Sequence, residues 1–332
     1  MREEAFKSGS PIGYYETSAM VAQLKKQNEF SFLKLVDSQA LIRSLRDLDQ
    51  AYKKFFQKRC GHPVYKSKHN NHQSYCTPRN PVANNIRISD NRLRLPKIGF
   101  VKIRISMDIG TIKHVTVYRT PTGKYFATIC CEYDPPVLKN NGGKIGIHVG
   151  ISNFYSDSNK NIVSNPKYLE KSIKKLKREQ RKLSRKKKGS NNREKQRIRL
   201  ALVHEKIVNQ RDDFLHKQST MLIRENQTIC VQDLDIKSMM QNKIFSRHIA
   251  SASWGKFFSM LEYKSSWYGN DFLKIPSEYP SAQTCSVCGC KNSNIKNLSI
   301  RKWTCPSCGS QHDRGINASV NILKYGLQMQ SA

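Results

Sequence analysis

Four cysteines near the carboxyl end of the chain have the spacing of a metal site. They form two pairs, with two residues inside each pair and sixteen residues between the pairs. The four are Cys285, Cys288, Cys305 and Cys308. A two-residue gap lets one tight turn direct both sulfur atoms at one ion, and two such turns complete the closed tetrahedron of structural zinc. Gly289 and Gly309 follow the pairs, where this turn needs a positive φ. The sequence predicts one structural Zn²⁺, with Cys290 as an alternative ligand.

The segment after the second pair carries a further pattern. It reads HDRGINASVNIL over residues 312–323. This pattern resembles the last signature of the TnpB family, in which DRDxNAAxNI follows a zinc ribbon. TnpB proteins are transposon-encoded, RNA-guided DNA nucleases related to the type V CRISPR effectors. In the family the second aspartate is a catalytic carboxylate of a RuvC-type (RNase H-like) nuclease, and here Gly315 stands at that position.

Two earlier segments resemble the other nuclease motifs of the family. Residues 144–158, KIGIHVGISNFYSDS, are similar to GIDxGIxNF, with His148 at the aspartate position. Residues 228–239 are similar to IVIEDLNxKGM, with Gln232 at the glutamate position. RuvC-type chemistry uses carboxylates to hold two divalent cations, and Mg²⁺ prefers anionic oxygen ligands. The resemblance therefore implies that this chain has no catalytic Mg²⁺ and no nuclease activity.

Three nearby aspartates are not expected to replace the missing carboxylates. Asp233 follows Gln232, so its side chain is expected on the opposite face of the strand. Asp313 matches the first, non-catalytic aspartate of the last signature, and Asp157 matches no catalytic position.

The charge of the chain indicates a polyanionic partner. The 332 residues carry a net charge of +33, and 38% of them are hydrophobic, which is enough for real cores. Nucleic acid is the expected partner of such a chain, with an anionic membrane surface as the alternative. We expect no membrane span and no secretory signal, because no apolar run is long enough. Ten cysteines, four of them in zinc spacing, favour a reducing cytosol over a disulfide framework.

The elements that must position these residues are predicted from periodicity. Apolar residues at three- and four-residue steps indicate helices at 16–26 and 38–58, and alternation indicates strands within 58–140. Between Lys167 and Arg199 there are sixteen basic and three acidic residues, with a turn at 189–192. A narrow apolar stripe on both sides of this turn predicts an antiparallel helical hairpin over 167–226. Its cationic face favours nucleic-acid binding over a solvated surface.

The resemblance covers nearly the whole chain and implies an α+β multidomain fold. The first two parts are a helical recognition region at 1–57, which is shortened at its N-terminus relative to the family, and a β-barrel wedge domain at 58–141. A RuvC-like domain follows at 142–282 and includes the basic hairpin. The last two parts are an inserted four-cysteine zinc ribbon at 283–312 and a RuvC-like C-terminal segment at 313–332. By the same resemblance, the candidate contacts to a flanking DNA motif are Tyr14, Ser18, Gln39, Arg43, Tyr75 and Thr77. The candidate contacts to the RNA or heteroduplex backbone are Lys53, Lys54, Lys66, Lys68, Lys174, Lys177, Arg178, Arg181 and Arg185.

These features lead to one main hypothesis and two alternatives. The chain resembles the nuclease-dead TnpB-like repressors, in which a guide RNA pairs with one DNA strand while the protein reads only a short flanking motif. Such a protein would act in the prokaryotic cytoplasm, on the nucleoid, with guide RNA and double-stranded DNA as partners. The alternatives are an active guided endonuclease with a remodelled site and a decayed transposon relic. Decay is disfavoured because the cysteines, helix stripes and strand patterns are intact while all three catalytic positions are changed.

Overall fold

The computed structural model describes residues 4–5, 8–9, 12–65, 67, 73–136, 138–139, 141–241 and 245–331. The chain divides into two compact units, Met1–Asp134 and Pro135–Ala332. The five-part division expected from the sequence is finer than this and stays a prediction. No helix in the described part of the chain is long and apolar enough to cross a lipid bilayer.

The first unit joins two helices to two small antiparallel sheets. Its elements are α1 (Tyr14–Leu24), a 3₁₀ turn (Ser31–Lys34), α2 (Ser38–Phe56), β1 (Gln73–Pro78), β2 (Arg87–Ser89), β3 (Arg92–Leu95), β4 (Gly99–Lys102), β5 (Thr111–Arg119) and β6 (Tyr125–Glu132). Both helices lie within two residues of the predicted bounds, and all six strands lie within the segment where the sequence predicts strands. The N-cap of α2 is Asp37, whose side chain accepts a hydrogen bond from the Gln39 amide.

The two sheets of the first unit share one apolar core. The strand orders are β1-β5-β6 and β2-β3-β4. Leu93 and Leu95 of the smaller sheet pack with Ile112 and Val115 of the larger one, and all four side chains are buried. Among the described residues the strands pair within each sheet and not between the sheets. Closure into a barrel therefore stays a prediction.

The second unit is a five-stranded mixed sheet with helices and a cysteine ribbon. Its elements are β7 (Lys144–Val149), β8 (Asn153–Asp157), β9 (Ile162–Ser164), α3 (Tyr168–Ser184), α4 (Asn191–Glu225), β10 (Thr228–Gln232), α5 (Ile236–Gln241), α6 (Ser246–Ala252), α7 (Trp254–Tyr268), β11 (Asp271–Ile275), a 3₁₀ turn (Ser293–Lys296), β12 (Lys302–Thr304), β13 (Gln311–Asp313) and α8 (Arg314–Ser331). The strand order is β11-β10-β7-β8-β9. Strands β7, β10 and β11 are parallel, and β8 is antiparallel to both β7 and β9.

Helices cover both faces of this sheet because its central strands are apolar on both faces. Ile229 and Val231 of β10 pack into the main core with α4 and α7, whereas Cys230 between them packs with Ile322 of α8. The contact between α8 and β7 is close: a Cβ at Gly146 would lie 2.1 Å from the Ser319 carbonyl oxygen. Glycine at this position therefore permits the approach of α8, which carries Gly315 in its first turn.

Candidate functional site

The four cysteines of the ribbon converge on one point. Their sulfur atoms all lie within 4.8 Å of one another. The Sγ–Sγ distance is 3.7 Å for Cys285 and Cys308 and 3.6 Å for Cys288 and Cys305. A tetrahedron with Zn–S bonds of about 2.3 Å places its sulfur atoms about 3.8 Å apart. The cluster therefore has the size and the ligand chemistry of a four-thiolate metal site.

Two tight turns aim these sulfur atoms. Gly289 N–H donates to the Cys285 carbonyl at 2.9 Å, and Gly309 N–H donates to the Cys305 carbonyl at 3.0 Å. The φ angles of the two glycines are +77° and +71°, as the sequence predicts. Cys290 is not part of the cluster; its backbone carbonyl accepts a hydrogen bond from the Cys285 amide.

His312 belongs to this site although the spacing of the cysteines does not reveal it. Its Nε2 lies 3.1 Å from Cys285 Sγ, and its ring packs on Trp303 with 4.7 Å between centroids. Both side chains are buried. The available signal in the sequence was a histidine four residues after the last ligand cysteine, in the middle of β13.

The first and third nuclease-motif positions lie next to each other. His148 on β7 pairs with Ser156 on β8. Gly315 lies against the same serine: a Cβ added to Gly315 would be 2.6 Å from Ser156 Oγ and 3.2 Å from Ser156 Cβ. The structure thus brings His148 and Gly315 together around a buried serine hydroxyl.

Gln232, at the second motif position, ends the neighbouring strand β10. Its side chain forms hydrogen bonds with the segment that leads to the ribbon. Nε2 donates to the carbonyl oxygens of Tyr279 at 2.8 Å and Ser277 at 3.0 Å, and Oε1 accepts from Ser281 Oγ at 2.9 Å.

The charges around His148 are predominantly positive. Burial, followed by the nearby Arg314 and Arg301 guanidinium groups, lowers the pKa of His148 to about 4, while Asp313 opposes this shift. Arg314 Nη1 donates to the Asn297 carbonyl at 2.7 Å. Neither arginine makes an ion pair with a carboxylate in the part of the chain that the structure covers. The imidazole is therefore neutral at physiological pH and has cations beside it.

The nearby aspartates have structural contacts. Asp313 Oδ1 accepts hydrogen bonds from the amides of Gly315 at 2.9 Å and Ile316 at 3.1 Å, which caps α8. Asp157 is 3% exposed and accepts three bonds from the backbone and side chain of Asn161 and the amide of Asn159. Both carboxylates therefore hold local backbone structure in this fold.

The predicted basic hairpin consists of α3 and α4. Its polar centre is a buried pair in which Gln196 Nε2 donates to Glu179 Oε2 at 2.7 Å. Arg178 also contacts Glu179. Lys174, Lys177 and Arg181 of α3 and Arg185, directly after its last residue, are exposed. None of these four has a carboxylate within ion-pair distance among the described residues. The hairpin therefore presents uncompensated positive charge.

Several of the side chains in the first unit that are candidates for DNA contacts interact with other residues of the protein. Thr77 is 0% exposed, and its hydroxyl donates to the Asp37 carboxylate, so it holds β1 to α2 rather than pointing to the surface. Tyr75 is half-buried; burial and Asp37 raise its pKa. Arg43 pairs with Asp47 at 3.0 Å.

The remaining candidates have different environments. The ring of Tyr14 lies 5.1 Å from the Arg46 guanidinium carbon, and Ser18 and Gln39 are half-buried. Lys53 pairs with Asp49 at 2.9 Å, and Lys54 is exposed. Lys66 and Lys68 lie outside the described residues. The assignment of all these side chains to DNA or RNA stays a prediction.

Comparison with known proteins identifies the family. Residues 128–243 match the family model described as "Probable transposase", and residues 254–322 match the Cas12f1-like TNB domain. A protein of Streptomyces pristinaespiralis named "Putative RNA-guided DNA endonuclease" is 37% identical over 95% of this chain and 78% of its own length. InsQ of Escherichia coli K12, which has the same description, is 30% identical over 95% of this chain and 81% of its own.

The chain belongs to the TnpB family, as its motifs predicted. The α+β multidomain class expected from the sequence is confirmed at this level. Among solved structures, a Cas12f1–sgRNA–target DNA complex is similar at 15% sequence identity with a TM-score of 0.40, covering 96% of this chain and 88% of that chain.

Proposed function

We propose that this chain is an RNA-guided DNA-binding protein that does not cut its target and that represses transcription by occupying it. A guide RNA selects the DNA by base pairing, and the protein recognises a short flanking motif and the backbone of the heteroduplex. The place of action is the nucleoid of a prokaryotic cytoplasm. The names of its relatives support guided DNA binding.

The observation that carries the proposal is the set of residues at the three motif positions. His148, Gln232 and Gly315 supply no carboxylate, and two hard cations close together need anionic ligands. The Gln232 amide is turned toward backbone carbonyl groups, and two guanidinium groups lie near His148. Positive charge at this place opposes the binding of Mg²⁺. We therefore propose that the RuvC-like domain holds nucleic acid without hydrolysing it.

The ribbon holds one structural Zn²⁺ in this proposal. Four thiolates close the coordination, which leaves no position for an activated water molecule. The ion would fix the ribbon and stabilise the fold around it.

The basic hairpin and the first unit bind the nucleic acids in this proposal. Contacts from Lys174, Lys177, Arg181 and Arg185 to phosphates carry little sequence information, which suits a protein whose specificity lies in its guide. The wedge barrel and the helical region at 1–57 read the flanking motif, with Gln39 and Arg43 as the side chains able to make bidentate contacts to base edges.

The test is purification of the full chain from its native host, sequencing of the RNA that copurifies, and mapping of the DNA bound in cells. The proposal predicts one discrete RNA species and DNA sites that match one end of it next to a constant short motif. Transcription from promoters at these sites should rise when the gene is deleted. Binding without a discrete RNA, or sites unrelated to its sequence, would contradict the proposal.

The relatives named as endonucleases favour one alternative, an active guided nuclease with a remodelled site. The mapped sites discriminate between the two functions. An active nuclease produces DNA ends at its target sites, whereas a protein that only occupies those sites leaves both DNA strands uncut.

A further inference from the structure

Gln232 connects a strand of the central sheet to the segment that leads into the ribbon. Its carboxamide contacts four groups of residues 276–281: the carbonyl groups of Pro276 at 3.4 Å, Ser277 at 3.0 Å and Tyr279 at 2.8 Å, and the hydroxyl of Ser281 at 2.9 Å. Three of these partners are acceptors, so the position needs a group that donates hydrogen bonds.

Ser281 continues the connection to α8. Its carbonyl oxygen accepts a hydrogen bond from Asn321 Nδ2 at 2.8 Å. Asn317 and Asn321 both donate to the Thr284 carbonyl, at 2.8 Å and 2.6 Å, directly before the first ligand cysteine. Ser281, Asn317 and Asn321 are each at most 3% exposed. A buried polar chain therefore runs from the end of β10 to the first knuckle.

We infer that Gln232 is a positioning residue that seats the cysteine ribbon on α8 in this chain, and that a glutamate at this position would weaken that arrangement. A carboxylate has the size of the carboxamide but only accepts hydrogen bonds. It would place a negative charge against the carbonyl oxygens of Ser277 and Tyr279 and remove the donor that they share. The Tyr279 carbonyl would keep its hydrogen bond from the Ser281 amide at 2.8 Å, and Ser277 is exposed to water, so the main cost is the repulsion between the carboxylate and the two carbonyl oxygens.

Gly315 also has a structural role, because it packs closely against a neighbouring side chain. Ser156, which is 4% exposed, occupies the space that a side chain at position 315 would need. Two of the three motif positions thus have structural roles of their own. We expect acidic residues placed there in this chain to loosen the ribbon and the α8–β8 contact. This inference goes beyond the proposed function and holds whether or not the chain cuts DNA.

The Gln232 part is tested with zinc-loaded full-length Q232E, Q232L and wild type. The measurements are thermal unfolding and the rate of zinc transfer to a chromogenic chelator, from about pH 5 to about pH 8. We expect Q232E to release zinc about tenfold faster than wild type at the upper end, the size typical of residues that support a metal site. The difference between Q232E and wild type, in both zinc release and unfolding temperature, should become smaller toward the acidic end of the pH range, because a protonated glutamate regains a hydrogen-bond donor. Q232L loses the bonds without gaining a charge, so its deficit should not change with pH.

A Q232E protein that matches wild type, or one whose deficit is as independent of pH as that of Q232L, would overturn the inference. Where Q232E does not fold, S281A gives the second measurement. It removes one link of the same chain and should also speed zinc release, whereas an unchanged rate would contradict the seating role.

The Gly315 part is tested by a double-mutant cycle. G315A should lower the unfolding temperature, and S156G in the same chain should recover part of the loss, because the space for the new Cβ is then open. Additive effects of the two substitutions would show that Ser156 does not occupy that space.

Discussion

His312 Nε2 lies 3.1 Å from Cys285 Sγ, within the reach of a hydrogen bond to a thiolate. The imidazole is held in place by its contact with Trp303 and by its burial. A donor in this position orients a metal ligand and disperses its charge. The ribbon thus extends beyond its four cysteines to the last residues of β13, directly before α8.

The first prediction separates ligand from non-ligand cysteines. Cys305→Ser should lose stoichiometric zinc and lower the unfolding temperature of the second unit, because a three-thiolate site no longer closes the coordination. Cys290→Ser is the matched control, since Cys290 lies in the same ribbon but outside the group of four cysteines. Elemental analysis and thermal unfolding check both. Native protein without zinc, or equal losses in the two variants, would refute the assignment.

The second prediction concerns the hairpin. Charge reversal at Lys174, Lys177, Arg181 and Arg185 should weaken guide RNA binding and flatten its salt dependence, with a loss of about 0.7–0.9 in the log–log slope per phosphate contact. Folding and zinc content should be unchanged because these side chains are exposed. Exchange of the ion-paired Asp213 and Lys217 conserves charge and serves as the control. Wild-type affinity and slope in the quadruple variant would mean that the face is only solvated.

The third prediction concerns recognition of the flanking motif. Gln39→Ala and Arg43→Ala should change the preferred motif in a library of binding sites, because each removes a side chain able to contact a base edge. Lys53→Ala should lower affinity evenly over all motifs, as expected for a phosphate contact. Selection from a randomised flanking sequence measures both. If both the preferred motif and the affinity are unchanged, α2 does not contact the flanking DNA motif.

The fourth prediction is a pH dependence of stability. Lys264 of α7 is 6% exposed and donates to Ser219 Oγ at 2.7 Å, and burial lowers its pKa to about 8. An unfolded lysine has a pKa of about 10.4, so between these values the unfolded chain binds more protons and stability rises with pH. The unfolding free energy of wild type minus that of Lys264→Met should therefore increase by about 2 kcal/mol from about pH 7.5 to about pH 10.

Denaturant unfolding at several pH values measures this difference. The exposed Lys217 gives the opposite sign, because Asp213 raises its pKa and its contribution is lost as pH rises. Parallel curves for wild type and Lys264→Met would contradict the burial of a charged group at this position.

Features that depend on local spacing could be predicted from the sequence. Two-residue gaps between cysteines, followed by glycine, give the metal cluster with its positive φ angles. Apolar periodicity gives α2 and the hairpin, and alternation gives β5 and β6. The family motifs place His148, Gln232 and Gly315, and the structure brings His148 and Gly315 together around Ser156.

Features that depend on contacts between distant segments could not be predicted. The carbonyl groups bonded to Gln232 lie more than forty residues further along the chain, in a segment with no regular hydrogen-bond pattern. Thr77 resembles a surface residue by type, but its bond to Asp37 buries it. Likewise, the two arginines beside His148 come from the ribbon and from the start of α8, and only the fold places them there.

The most direct test of the account compares occupancy with cleavage on one DNA. The complex of the chain with its copurified RNA is incubated with a guide-matched plasmid in Mg²⁺ and, separately, in Mn²⁺. Footprinting reports occupancy, and gel analysis reports nicked and linear DNA. A protein that occupies its target without cutting gives full protection of the matched site, with no strand breaks above a sample without protein. Nicking that requires the matched sequence and disappears with a mismatched plasmid would contradict the proposed function.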